Sequence, residues 1–116
     1  MPREDTSYLV DILDAAKAAL AFVEGKTHDD FHADLECRFA VVRAIEIIGE
    51  AAKQVSQEMR DQHPEIPWRD IIAMRNRVIH GYAEVDYTIV WDTVQNDLPA
   101  LVAQLQPLVS EEASGP

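Results

Sequence analysis

Residues 74–82, MRNRVIHGY, bring a guanidinium, an amide, an imidazole and a phenol together in Arg75, Asn76, His80 and Tyr82. Imidazole is the side chain that ordinarily gains and loses a proton between about pH 5 and 8, whereas arginine keeps its positive charge throughout that range. Side by side, they can exchange protons at an anionic group and balance its charge. The apolar repeat of Trp68, Ile71, Ile72, Val78, Ile79 and Tyr82 puts Arg75 where a hydrophobic residue is expected. A guanidinium facing a core is costly unless a polar cleft receives it or a carboxylate pairs with it, and Glu46 and Glu50 could supply that carboxylate. On a regular helix His80 falls about 140° around from Arg75, so the two share no stripe within one chain. They can converge at the helix end or across a dimer. A bundle arginine in a salt bridge, with a histidine meeting the last carbonyls of its helix, is the rival structural reading.

Four helices are expected to carry these residues. The first spans about 6–24, with Leu9, Ile12, Leu13, Ala16, Leu20 and Val23 on one face and Gly25 ending it. The second starts near Thr27, a capping hydroxyl followed by Asp29 and Asp30 at the positive end of the dipole, and runs unbroken to about Arg60. Its middle is apolar nearly all round, leaving a narrow polar stripe of Glu36, Arg43, Glu46, Glu50, Lys53 and Gln57. Three neighbours rarely cover a helix so fully, which predicts a second copy of the chain against it, hence a homodimer. Pro64 and Pro67 make a loop of 61–67, and Pro67 suits the first position of the third helix, which Gly81 ends. The fourth runs from about Asp86 to Val109, kinked at Pro99. The reading is an all-α, up-and-down four-helix bundle in a single domain of residues 1–110, with a small polar tail at 111–116 expected to be disordered.

Composition narrows the function classes. Hydrophobic residues make up 47% of the 116-residue chain and glycines number only four, which favours packed helices over sheet. Cys37 is the one cysteine, so an internal disulfide is impossible and a buried thiol in a reducing compartment is the simple account. No stretch approaches the roughly 18 apolar residues of a membrane span, so a soluble, cytoplasmic protein is expected. A net charge of −11 repels nucleic acid at long range, so any RNA role needs a local basic site. Arg60, Arg69, Arg75 and Arg77 form the candidate patch, with Arg69 and Arg77 the RNA-binding candidates, unless they merely solvate an exposed helix face. In HDDFH, His28 and His32 stand four apart but have no evident third ligand, so a solvated first turn is preferred to a metal site and no cofactor is expected. The sequence has no glycine-rich phosphate loop and no serine elbow.

The segment RNRVIHGY resembles the R-x4-H-x-Y signature of HepT-like toxins, within the HEPN (higher eukaryote and prokaryote nucleotide-binding) superfamily of helical ribonucleases. The blocks RFAVVRAIEIIGEAAKQVS, PWRDIIAMRNRVIHGY and VWDTVQNDLPAL resemble that family in the same order, covering most of the second to fourth expected helices.

That resemblance implies a bundle that dimerises with the two motifs facing each other across a cleft. It also implies metal-independent RNA cleavage, in which a ribose 2′-hydroxyl attacks the adjacent phosphate and leaves a 2′,3′-cyclic phosphate. His80 and Arg75 would be catalytic, as proton exchanger and as charge balance on the phosphoryl oxygens, with Asn76 assisting. The chain would be the toxin of a toxin-antitoxin pair. Its partner would be a minimal nucleotidyltransferase that transfers AMP to Tyr82, setting a phosphate where the scissile phosphate would lie. Two rivals stand beside this reading: a non-catalytic HEPN partner that binds a nucleotidyltransferase or nucleotide, and a structural helical dimer whose motif is a salt-bridge network.

Overall fold

A computed structural model describes residues 3–80 and 84–113. Seven helices are found among them: α1 Arg3–Val23, α2 His28–Ala33, α3 Leu35–Gln54, α4 Gln57–Gln62, α5 Trp68–Val78, α6 Tyr87–Asn96 and α7 Leu98–Ala113. The four-helix all-α plan holds at the level of rods. α1 packs against α3 and α7, α3 against α5, and α6 bridges α5 and α7. Leu9, Ile12, Ile45, Ile48, Val78, Val90 and Leu105 are among the fully buried side chains at the centre.

The second expected helix is three helices, and local hydrogen bonding explains both breaks. Asp34 adopts an extended conformation, closes α2 by donating its N–H to the Phe31 carbonyl, and caps α3 by accepting the Cys37 N–H at 3.0 Å. Short acidic side chains compete in this way with the helical ladder, and nothing in the apolar periodicity registers it. Farther along, Ser56 caps α4 by accepting the Met59 N–H at 3.1 Å. Its own N–H and hydroxyl both donate to the buried carboxylate of Asp5, at 2.8 and 2.6 Å. Arg60 then closes the end of α3 by donating to the Ala52 and Lys53 carbonyls. The start of α2 follows expectation: Thr27 accepts the Asp30 N–H, and Asp30 accepts the Thr27 N–H.

The fourth expected helix breaks at Asp97, two residues ahead of the expected kink, so Pro99 is the second residue of α7. Its missing N–H has no helical partner to lose there, which removes the reason for a kink at the proline itself. α7 continues through Ala113, into the stretch read as a tail, and 114–116 lie outside the described residues. Gly25, at φ +75°, ends the α1 connection in the left-handed region that glycine enters without strain. No helix of the described residues is long and apolar enough to cross a membrane.

Candidate active site

α5 begins where Pro67 acts as its N-cap, one residue earlier than its expected helical place, and the Trp68 indole N–H fixes the entry by donating to the His63 carbonyl at 2.9 Å. Its buried line is Trp68, Ile71, Met74 and Val78. This corrects the expected stripe. Met74 rather than Arg75 occupies the core-facing place, while Ile72, Arg75 and Ile79 are half-buried along the seam with α3. No ion pair among the described residues involves Arg75, so of the two alternatives the carboxylate of Glu46 or Glu50 is not the one formed. The Arg75 guanidinium instead donates from Nη1 to the Asn76 side-chain oxygen at 3.2 Å. Its cost of burial is low because its head stays wet while its stem lies on the seam.

Gly49 is what lets that stem come so close. A Cβ placed on Gly49 would lie 3.2 Å from the Arg75 Cβ and 3.5 Å from the Ile72 carbonyl oxygen. The absence of a side chain at this one position of α3 therefore sets how near the motif helix approaches. An isolated glycine inside an otherwise apolar helical run is the sequence signal for such a contact, and the motif-led reading passed it over.

α5 stops at Val78, earlier than the expected end at Gly81, which lies outside the described residues. Ile79 is extended, at φ −121° and ψ 114°, and pairs with Val85 in an antiparallel bridge. Two backbone bonds flank the pair: the His80 N–H donates to the Glu84 carbonyl and the Asp86 N–H to the Val78 carbonyl, each at 2.9 Å. A β-branched residue opposite another suits this short pairing better than a further helical turn. His80 is consequently exposed on a bend beyond the helix, and the 140° separation that a continuous helix would impose does not apply. Tyr82, the expected modification acceptor, lies outside the described residues.

The other arginines diverge. Arg77 points toward Asp97 at the α6–α7 junction, 3.8 Å away, with both side chains about half exposed. Arg69 is exposed on a different flank of α5 and lines a groove with Arg60, Asp61 and Asn76. Arg38 on α3 lies over the Tyr87 ring at 4.8 Å, beside the start of α6, with its buried Nε unpartnered among the described residues. The two histidines of HDDFH are not simply solvated: their Nε2 atoms meet at 2.8 Å, and the His28 ring lies 5.7 Å from that of Trp91. Cys37 is buried and donates to the Phe22 carbonyl, and burial together with the Asp34 charge pushes its thiol pKa up, away from nucleophilic use.

Residues 12–108 match the protein family described as Ribonuclease HepT-like. The chain is 41% identical over 108 residues to a protein named probable ribonuclease HepT from Thermococcus cleftensis, covering 93% of this chain and 98% of that one. It is 37% identical over 105 residues to a protein of Caldanaerobacter subterraneus that carries an RNase name, covering 90% and 94% of the two chains. A relative from Methanocaldococcus jannaschii, also bearing an RNase name, is 33% identical over 104 residues, covering 90% and 95%. No solved structure matches the chain.

Proposed function

The chain belongs to the HepT-like ribonucleases, and from that premise we propose that it is the toxin of a toxin-antitoxin pair, a metal-independent endoribonuclease working at Arg75 and His80. The observation that carries this reading is the state of Arg75: half-buried on the α3 seam, oriented by Asn76, and without a carboxylate partner among the described residues. With its head in water and no carboxylate on it, the guanidinium is open to pair with a phosphate.

In the proposed reaction the ribose 2′-oxygen bonds to phosphorus as the bond from phosphorus to the 5′-oxygen breaks. The fragments carry a 2′,3′-cyclic phosphate and a 5′-hydroxyl. A proton leaves the 2′-oxygen and one reaches the 5′-oxygen, and the exposed imidazole of His80 is placed to exchange it. Arg75 balances the charge that grows on the non-bridging oxygens. DNA lacks the attacking hydroxyl and survives.

The working unit is a homodimer with the motifs facing across a cleft. Leu35 and Phe39 are 53% and 60% exposed on α3. At 100° per residue they fall, with Val42, Glu46 and Gly49, within about 80° of one another. The exposed apolar residues therefore adjoin the strip of α3 on which Arg75 rests. AMP transferred to Tyr82 by a nucleotidyltransferase antitoxin in the cytoplasm would put a phosphate two residues from His80, where it competes for Arg75. The test is incubation of wild type and His80→Ala with total RNA without divalent metal, followed by end-group analysis. Cyclic phosphate ends from wild type alone support the reading, and unchanged cleavage by His80→Ala sinks it.

A further inference from the structure

The four arginines between positions 60 and 77 are not equally free. Arg60 is committed to two carbonyls at the end of α3, at 3.1 and 3.0 Å. Arg77 faces the Asp97 carboxylate, and Arg75 is held by Asn76. Arg69 is exposed, and among the described residues no hydrogen bond or ion pair holds its guanidinium. In a chain of net charge −11, an uncommitted arginine next to another cation is a local exception to the field.

Its position gives that exception a direction. Arg69 and Asn76 are two turns apart, within about 20° of one stripe of α5, and about 10.5 Å apart along its axis. Both line an open groove of about 560 Å³ between α4 and α5, with Ile72 and Ala73 between them. Arg60 and Asp61 stand on the α4 wall, and the Gln57 amide donates to Asp61 at 2.8 Å. The groove therefore starts at the residue that orients Arg75 and ends at a free guanidinium, a nucleotide or two farther along an extended strand. Its acidic side belongs to α4 and its open cation to α5.

We propose that the RNA strand cut at the motif continues through the α4–α5 groove, where Arg69 binds the phosphate one or two nucleotides from the scissile one. This rests on the ribonuclease reading and adds to it a substrate path. Arg77, the other RNA-binding candidate from sequence, lies outside this path in a second groove that also contains Asp70 and Asp97.

The probe is a short single-stranded 2′-O-methyl RNA of mixed sequence, which cannot be cleaved by 2′-hydroxyl attack. Its Kd is measured by fluorescence anisotropy across a salt series for wild type, Arg69→Gln, Arg69→Lys and Arg77→Gln, alongside cleavage of ordinary RNA. Loss of one phosphate contact lowers the slope of log Kd against log salt by about 0.7 for a single strand, and weakens low-salt binding about fivefold. Arg69→Gln is expected to show both, Arg69→Lys to keep the slope, and Arg77→Gln to lose less of it. In cleavage the Arg69→Gln defect falls on KM rather than kcat. An unchanged slope in Arg69→Gln, or an equal loss in Arg77→Gln, overturns the groove while active wild type leaves the ribonuclease reading intact. If wild type binds with an Arg69-dependent slope but cuts no RNA, the groove stands and the nuclease falls. No binding by wild type overturns the groove, and no binding together with no cleavage overturns both.

Discussion

Gly49→Ala tests whether the α3–α5 seam places Arg75, the arginine proposed to be catalytic. The added methyl would sit 3.2 Å from the Arg75 Cβ, 3.5 Å from the Ile72 oxygen and 3.8 Å from the Arg75 nitrogen. Carbon atoms in comfortable contact are about 3.5–4.0 Å apart, so α5 must retreat by roughly 0.3–0.5 Å. No rotamer change can relieve this, because the Arg75 Cβ is fixed to its backbone. Alanine gains about 1 kcal/mol over glycine inside a helix, while overpacking costs about 1–3 kcal/mol. The net effect on folding is a loss of about 0–2 kcal/mol. A misplacement of about 1 Å can reduce catalysis about a hundredfold, so the smaller retreat should lower kcat/KM about four- to tenfold. Urea denaturation gives the first quantity and cleavage of a defined RNA the second. A variant that is more stable by the whole propensity gain, with unchanged kcat/KM, would refute the claim that Gly49 sets the position of Arg75.

Three further perturbations address the scaffold. Asp5→Ala removes the acceptor of both Ser56 donors and should cost about 1.5–3 kcal/mol in urea denaturation; a change near zero would mean that Asp5 does not anchor the α3–α4 junction. Asp34 is held below its ordinary value of 3.8 by the Cys37 N–H and then by Lys26. The folded state therefore binds this proton less readily than the unfolded state, so the cap contributes fully above the ordinary value and is lost as pH falls through the lowered one. Asp34→Asn should lower Tm at neutral pH, with the gap from wild type closing in strong acid; a gap that widens there would contradict the sign. Phe39→Glu, at a side chain 60% exposed in the monomer, should shift sedimentation from dimer to monomer while changing monomer stability by no more than about 0.5 kcal/mol. A dimer of unchanged Kd would remove this face from the interface.

The long-range plan was legible because amphipathic periodicity is set by burial. Leu9, Ile12, Leu13 and Ala16 of α1, and Val90, Val94, Leu98, Leu101 and Leu105 of α6 and α7, are all buried as their spacing required. The interruptions were not legible, because they are made by polar contacts that leave the apolar period intact. Ser56, the N-cap of α4, also donates twice to Asp5 across 51 residues, a tertiary contact no local pattern contains. Arg75 was placed on the core-facing stripe for a related reason: both 71, 74, 78 and 72, 75, 79 are helical lines, and only the position of α3 decides between core and seam. Family resemblance marked Arg75 and His80, but not the freedom of their neighbours, since the difference between Arg69 and Arg77 depends on where Asp97 lies.

The same distinction changes how the motif spacing should be understood. Five residues along a continuous helix would turn His80 away from Arg75, which from sequence was the physical objection to one chain holding both at one phosphate. The objection assumes that all five steps are helical. α5 ends at Val78, and the last two steps are made by an extended Ile79 and a bend tied to Glu84 and Val85. Arg75 thus belongs to the helix, close against Gly49 and bonded to Asn76, and His80 to a short bridged turn. Charge balance requires a guanidinium held in place before the reaction, whereas proton exchange requires an imidazole able to reach first one oxygen and then release its proton. An arginine on the helix followed by a histidine just past its end satisfies both demands, and the spacing is then a property of where the helix stops.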